Sequence, residues 1–304
     1  MIDEPISAFF IGCVQSTEVS LKAALARSEI DVRGILTKRN NSYNSDFVDI
    51  SKLAADSGCI VIYEEDTNDT SLANILVNLK IDVVFVIGWS RLLTSEILNI
   101  PRYGVIGFHP SALPRNRGRH PLIWSLALGL DETASTFFSI DQGTDSGPIL
   151  SQEFLQITRE DTAQSLYDKI MMLIPTQIDG IIDQMVSGYL CGVQQDHTLA
   201  TSWRKRSDVD GLIDWRMSAI AVFNLTRALT HPYIGAEFEH KDHVVKLWRC
   251  EVVIEGVPRT AEPGKVLEVD ARGPLIKTGL GADGGAVRLL DIQFCPELKK
   301  GDYL

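Results

Sequence analysis

The first ninety residues alternate short apolar runs with longer stretches in which apolar positions recur every three or four residues. The runs Ala8 to Gly12, Val32 to Leu36, Ile60 to Tyr63 and Val83 to Ile87 predict buried strands. Between them, Glu18 to Arg27, Asp46 to Ala55 and Ser71 to Leu79 predict helices. Continuous apolar strands separated by helices imply a mostly parallel sheet covered on both faces. Right-handed crossovers make that alternation a doubly wound, Rossmann-like α/β layer. Further strands are expected at Val105 to Phe108, Ala134 to Ile140 and Ile149 to Phe154. A long helix is then expected from Thr162 to Met185, with Asp161 as its N-cap and a kink at Pro175.

Around Tyr189 to Thr201 the pattern lapses into polar residues and a glycine. This reads as a catalytic domain over 1–190, a linker over 191–201 and a C-terminal domain over 202–304. In the last, a helix over Ser218 to Leu229 precedes strand-like runs at Val244 to Trp248, Gly264 to Leu267 and Ala286 to Leu290. Short strands punctuated by Gly and Pro predict a smaller OB-like β module.

Composition narrows the class. The apolar runs are too short to cross a bilayer, and the acidic start Met1-Ile2-Asp3-Glu4-Pro5 lacks the basic opening of a signal peptide. Five scattered cysteines without a C-x-x-C pair argue against a disulfide framework and a zinc site. A cytoplasmic protein with no bound metal and no membrane contact is expected. The formal net charge of −11 disfavours a broad nucleic-acid footprint. The local basic clusters therefore carry more information: Arg115, Arg117 and Arg119 in one loop, Arg204-Lys205-Arg206 in another. Each reads equally well as a solvated basic turn.

The first strand-to-helix turn, Ile11-Gly12-Cys13-Val14-Gln15-Ser16, lacks the glycine cradle of a dinucleotide site, and no P-loop occurs. Ligands are then expected at the carboxyl ends of later strands. There, Gly107-Phe108-His109-Pro110-Ser111-Ala112-Leu113-Pro114-Arg115-Asn116-Arg117-Gly118-Arg119 delivers a histidine from a buried strand into a basic loop. The segment Asp141-Gln142-Gly143-Thr144-Asp145-Ser146-Gly147 adds two carboxylates between strands. A carboxylate beside an imidazole would orient it and stabilise its protonated form, giving an acid/base pair.

On these motifs the sequence resembles the folate-dependent formyltransferases, a family that includes methionyl-tRNA, glycinamide ribonucleotide and sugar N-formyltransferases. His109-Pro110-Ser111-Ala112-Leu113-Pro114 with Arg117-Gly118 matches the family's N-x-H-P-S-L-L-P-x-x-R-G, and Asp145-Ser146-Gly147-Pro148 its D-x-G-D/P. The resemblance continues through Asp210 to Trp215, Pro232 to Ala236 and Pro263 to Val266. It implies N10-formyltetrahydrofolate as donor, its pterin against Gly88, Trp89, Arg91 and Leu92 and the loop of Ile140, Asp141, Gly143 and Thr144. Without it, Trp89 reads as a core aromatic. It implies His109 as the proton-transfer group and Asp145 as its orienting partner.

The family's Asn two residues before the His is Gly107 here. His109 with a backbone N–H could serve the oxyanion, Asn116 could substitute, or turnover could be impaired; Asn116 also reads as an ordinary loop residue. For the acceptor, the segment Thr37 to Asp46 is short and mostly polar, where the tRNA enzymes carry a basic insert. The resemblance thus points to an amine on a nucleotide-linked 4-amino-deoxy sugar, with UDP the first base to test. Its diphosphate is assigned to Arg204, Lys205 and Arg206, aided by Trp203, and its sugar side to Arg117, Gly118 and Arg119. Methionyl-tRNA formylation and a non-catalytic folate- or sugar-nucleotide-binding protein are the alternatives, and a homodimer is the assembly left open.

Overall fold

The computed structural model describes residues 4–40, 46–241, 243–281, 284–293 and 297–304. Part of the polar segment from Thr37 to Asp46, and Cys295, lie outside the described residues. Chain order begins β1 (Ile6–Ile11), α1 (Gln15–Leu25), β2 (Ile30–Thr37), α2 (Ser51–Asp56), β3 (Ile60–Tyr63), α3 (Asp69–Asn78), β4 (Val83–Val86) and α4 (Ser95–Leu98). It continues with β5 (Val105–His109), β6 (Arg117–Gly118), α5 (Pro121–Ala127), β7 (Glu132–Ser139), β8 (Ile149–Gln156), α6 (Ala163–Val186) and β9 (Ser202–Trp203). The last elements are α7 (Ala219–Leu229), β10 (Ala236–His240), β11 (His243–Val253), β12 (Val266–Asp270), β13 (Gly273–Lys277) and β14 (Ala286–Ile292).

The chain divides into two compact units. One takes it as far as Gly118, then Thr133–Leu155 and Asp168–Trp203; the other holds Arg119–Glu132, Gln156–Tyr167 and Arg204–Leu304. The first unit is built on a seven-stranded sheet in the order β3-β2-β1-β4-β5-β7-β8. The five strands from β3 to β5 run parallel, and β7 joins β5 antiparallel. The Rossmann-like, mostly parallel sheet expected from the apolar runs is therefore present.

Because strands β1 and β4 are buried on both faces, their side chains are apolar at nearly every position. Phe9, Ile11, Val84 and Val86 pack with Leu72, Leu76, Ile97 and Val105 in one cluster. Phe10 and Phe85 stack across the strand pair with ring centroids 4.8 Å apart.

The second unit holds a five-stranded antiparallel sheet in the order β10-β11-β14-β13-β12, the expected smaller β module. Helix α7 is capped by Ser218, whose Oγ accepts the Ala221 N–H at 3.1 Å. Helix α6 is capped differently from the sequence expectation. Thr162 takes the N-cap place: the Ser165 amide donates to Thr162 Oγ1 (3.4 Å) and the Thr162 amide to Ser165 Oγ (3.0 Å). Asp161 instead accepts from the Thr158 amide (2.7 Å) and from Ser165 Oγ (2.8 Å). The helix runs on through Pro175 to Val186. Among the described residues no helix is long and apolar enough to cross a membrane.

Gly107 lies buried in β5, opposite Phe138 of β7. A Cβ there would stand 2.9 Å from Ile140 Cγ1 and 3.0 Å from the Phe138 ring. Space, rather than backbone conformation, is what excludes a larger side chain at this point. We expect Gly107→Asn to lose about 1–3 kcal/mol of stability by overpacking. Denaturant unfolding measures it; unchanged stability would mean that Phe138 and Ile140 yield freely.

Candidate functional site

Strand β5 ends at His109, so the parallel sheet delivers this side chain to the carboxyl edge where open α/β folds build their sites. The ring is 6% exposed. Its Nε2 lies 2.8 Å from the Asn116 carbonyl oxygen. A carbonyl can only accept, so Nε2 carries the proton of the neutral ring and Nδ1 is the basic atom. Nδ1 in turn lies 3.8 Å from Asp145 Oδ2, ion-pair distance for a protonated ring and beyond hydrogen-bond length for a neutral one.

Asp145 sits in the loop after β7 with φ +49°, and Asn116 with φ +64°. Both occupy the left-handed region, which Asn and Asp tolerate better than most side chains. Such conformations concentrate where surrounding structure holds a functional group in place. The holding contacts are visible. Asp145 Oδ2 accepts the Gly118 N–H at 2.8 Å. Gly118 has φ +100°, and a Cβ there would be 2.2 Å from the Trp203 carbonyl oxygen, so a glycine is required to bring that amide in. Behind the loop, Gln195 Nε2 donates to the carbonyls of Asp145 (2.9 Å) and Gly147 (2.6 Å).

The segment 191–201, expected between the domains, thus supports this loop directly. Val193 bridges Ile149, and Thr201 Oγ1 accepts the Asn116 amide at 2.9 Å. Thr201 Oγ1 also lies 3.3 Å from Asn116 Oδ1, leaving the Asn116 Nδ2 donors without a partner among the described residues. Gln195 and Thr201 carried no signal in the sequence, because their partners lie about 50 to 85 positions away.

The other predicted residues separate into groups. Arg117 points back into its own unit: Nη2 donates to Gln195 Oε1 (2.6 Å) and to His197 Nδ1 (3.0 Å). Gly88 has φ +65°, and Val14 fills the place of a side chain there. Trp89 packs partly against the core cluster, and Lys38 Nζ stands 5.0 Å from its ring centroid. Arg91 is paired with Asp69 and, at 3.6 Å, with Glu64, whereas Leu92 is 81% exposed. Ile140 also packs on the core, and its amide donates to the Val105 carbonyl at 2.7 Å. Asp141 closes its own turn by accepting from the Gly143 amide (2.9 Å) and Ser146 Oγ (2.6 Å), while Thr144 is exposed.

In the second unit, Arg204 is closed on Asp210 (Nη1 to Oδ2, 2.7 Å) and lies over Trp124, 5.3 Å from the ring centroid. That pairing, with the Ser207 amide, holds the Asp210 carboxyl well below the usual carboxylate range. The indole beneath Arg204 is thus Trp124, while Trp203 belongs to the two-strand ladder β6–β9. Lys205 is exposed and Arg206 half-buried. Arg119 is exposed.

Family models match two stretches of the chain: "Formyl transferase" over residues 21–176 and "Formyl transferase, C-terminal domain" over residues 206–300. Methionyl-tRNA formyltransferase of Thermodesulfovibrio yellowstonii is 33% identical over 295 residues, 96% of this chain and 91% of its own. Among solved structures, an N-formyltransferase from Helicobacter canadensis in complex with folinic acid and dTDP-3-aminofucose superposes with TM-score 0.70. It is 16% identical, with 93% of this chain and 99% of that one covered. A 4-N formyltransferase from Francisella tularensis superposes with TM-score 0.63 at 18% identity, covering 78% and 93%.

Removing the amide of Gln195 tests the support of Asp145. We expect Gln195→Leu to keep the fold yet speed amide hydrogen exchange at Gly118, because the carboxylate that accepts its N–H loses its backbone anchor. Exchange read residue by residue checks this; unchanged protection of Gly118 would show that the loop holds itself.

Proposed function

We propose that the chain, which belongs to the folate-dependent formyltransferase family, moves a formyl group from N10-formyltetrahydrofolate to the amine of a nucleotide-linked 4-amino-deoxy sugar. The observation that carries the chemistry is the basic Nδ1 of His109 beside the Asp145 carboxylate. The acceptor nitrogen has to form a bond to the formyl carbon while it sheds a proton, and the bond from that carbon to N10 has to break as N10 gains one. His109 Nδ1 takes the first proton and can return it to N10. Asp145 stabilises the imidazolium in between, a charge that would otherwise be costly at so buried a position.

The formyl oxygen gathers negative charge as the carbon becomes tetrahedral. With Gly107 unable to supply a side-chain amide, the free Nδ2 donors of Asn116 are the candidates to meet it. One donor of this kind is worth about 10²–10³ in rate. For the donor, the exposed Leu92 and the exposed turn at Asp141 to Thr144 offer an apolar contact and backbone groups to a flat heterocycle. Arg91, tied to Asp69 and Glu64, acts by holding its loop.

For the acceptor, the support is the charge distribution. The chain carries −11 overall, so a polyanion as large as tRNA meets a repulsive field, whereas a diphosphate needs one local basic cluster such as Lys205 and Arg206. The Helicobacter canadensis structure with dTDP-3-aminofucose supports a nucleotide-linked amino sugar, with dTDP beside UDP as a base to test, and the Francisella tularensis 4-N formyltransferase supports a 4-amine. The 33% identity to a methionyl-tRNA formyltransferase favours the second reading, tRNA.

His109→Asn should lower kcat by about 10²–10⁴-fold, the usual worth of acid–base help, with donor binding nearly unchanged. Asp145→Asn should do comparable damage by removing the charge that supports the imidazolium. Steady-state formyl transfer decides; a His109→Asn enzyme keeping a tenth of its kcat would refute the assignment. The acceptor is settled by comparing kcat/KM across UDP-, dTDP- and GDP-linked amino sugars, methionyl-tRNA and glycinamide ribonucleotide. A sugar nucleotide is expected to win by orders of magnitude. Methionyl-tRNA turned over without any amino sugar would overturn the acceptor and leave the chemistry intact, and formyl transfer to any amine would eliminate a purely binding role.

A further inference from the structure

Within the second unit, two segments remote in sequence bring cationic groups together. His120, half-buried and in the left-handed region at φ +55°, faces Arg119, Lys205 and Arg206. The Arg206 amide donates to His120 Nδ1 at 3.4 Å, so the neutral ring carries its proton on Nε2. Burial first, and then the three cations, hold the imidazole below its ordinary range. Arg206 is half-buried as well, and burial weakens its guanidinium's hold on its proton. Its guanidinium makes no hydrogen bond or ion pair among the described residues. Asp210, Tyr233 and Asp208 attract it from a distance and Arg204 repels it, and Asp210 is already held by Arg204 and the Ser207 amide. Like charges gathered in partly dry surroundings repel one another, and an anion in direct contact with them relieves that repulsion.

We propose that His120, with Lys205 and Arg206, forms the seat of the substrate's diphosphate, and that the His120 ring takes up a proton as the diphosphate settles. The naming of the ligand rests on the sugar-nucleotide reading above; the seat rests on the residues themselves. A bound diphosphate reverses the field at His120: it supplies negative charge where the free protein supplies three positive ones. The protonated ring can then donate from Nε2 in a charge-assisted hydrogen bond, next to the Arg206 fork. The sign follows directly. The free ring is neutral near pH 7 and the bound ring is more easily protonated, so binding consumes a fraction of a proton and strengthens as pH falls through that window.

The test uses UDP-glucose and dTDP-glucose, which carry no amine and whose diphosphate diesters do not titrate near neutrality, with inorganic pyrophosphate as a third ligand. Calorimetric titrations of the full chain in buffers of different ionisation enthalpy, from about pH 6 to pH 8, read the protons taken up. Wild-type protein should show uptake. His120→Asn, a residue that tolerates the left-handed backbone and keeps an acceptor for the Arg206 amide, should abolish it. Its Kd should rise roughly tenfold near pH 6, the size of one hydrogen bond to a charged group, and change little near pH 8. Arg206→Gln should weaken binding at every pH while leaving some uptake. Sugar-nucleotide binding without proton uptake, or uptake that survives in His120→Asn, overturns the inference and leaves the proposed function standing. Binding of pyrophosphate alone, with His120-dependent uptake, upholds the seat and overturns the sugar-nucleotide reading. No binding of any of the three overturns the inference.

Discussion

Oδ2 of Asp145 is claimed by two groups at once, the Gly118 amide and the His109 ring, and the loops of the first unit are arranged to keep it between them. A carboxylate pointed at an imidazole is effective only if it stays there. A loop aspartate at φ +49° does not stay by its own preference. Gln195 fixes its peptide from behind, Gly118 fixes its carboxylate from the front, and Asn116 fixes the far nitrogen of the ring. The first two of these contacts join segments far apart in sequence, and the third closes the loop that follows β5 back onto the ring. The ring nitrogen that faces the carboxylate is thereby the one left without a proton.

The sheet explains why those segments meet. Parallel strands release their chains at one edge, where β5 ends at His109, whereas the antiparallel β7 runs back past His109 and ends away from it. Ile106 pairs with Ser139 and His109 with Thr136, which puts the end of β7 beside the start of β5. The chain beyond β7 then has to return along the sheet edge before β8 begins. Asp145 lies within that return. The absent family asparagine is explained by the same packing, since Phe138 and Ile140 occupy the space in front of Gly107.

Much of this was legible from period. Strands β1 to β5 appear within a residue or two of the apolar runs, most plainly β1 and β4, because a run buried on both faces must be apolar throughout. His109 was legible as a titratable group ending an apolar strand, and Asp145 as a carboxylate in a glycine-flanked loop between two strands. The direction of β7 was not legible: an apolar run carries no sign of which way it points. The cap of α6 was misread by one position, since Asp161 and Thr162 are both good caps and Ser165 decides between them. Gln195, Thr201 and the engagement of Arg117 were invisible, because a polar stretch without period gives no hint of which distant loop it will bond.

Charge is the other constraint that sequence shows in bulk and structure resolves in detail. In a chain with 40 acidic and 29 basic residues, an arginine has little difficulty finding a carboxylate. Arg27, Arg91, Arg204, Arg216 and Arg288 each do so. Arg227, buried, spends its guanidinium on the Asn224 side chain and the carbonyls of Thr158 and Asp161. Arg117 spends its own on neutral Gln195 and His197. These guanidiniums are occupied in holding the fold, so a count of basic residues in a loop overstates what is free to meet a ligand. Arg206 differs in being drawn partly out of water with no hydrogen-bond acceptor among the described residues, beside a histidine that burial, and then neighbouring cations, hold below its ordinary range. Desolvating an unpaired charge is unfavourable, and a stable fold keeps such a group where its partner arrives from outside. The acidity of the rest of the chain sharpens that effect, because it repels anions from the general surface and leaves this cluster as a place where a small one is welcome.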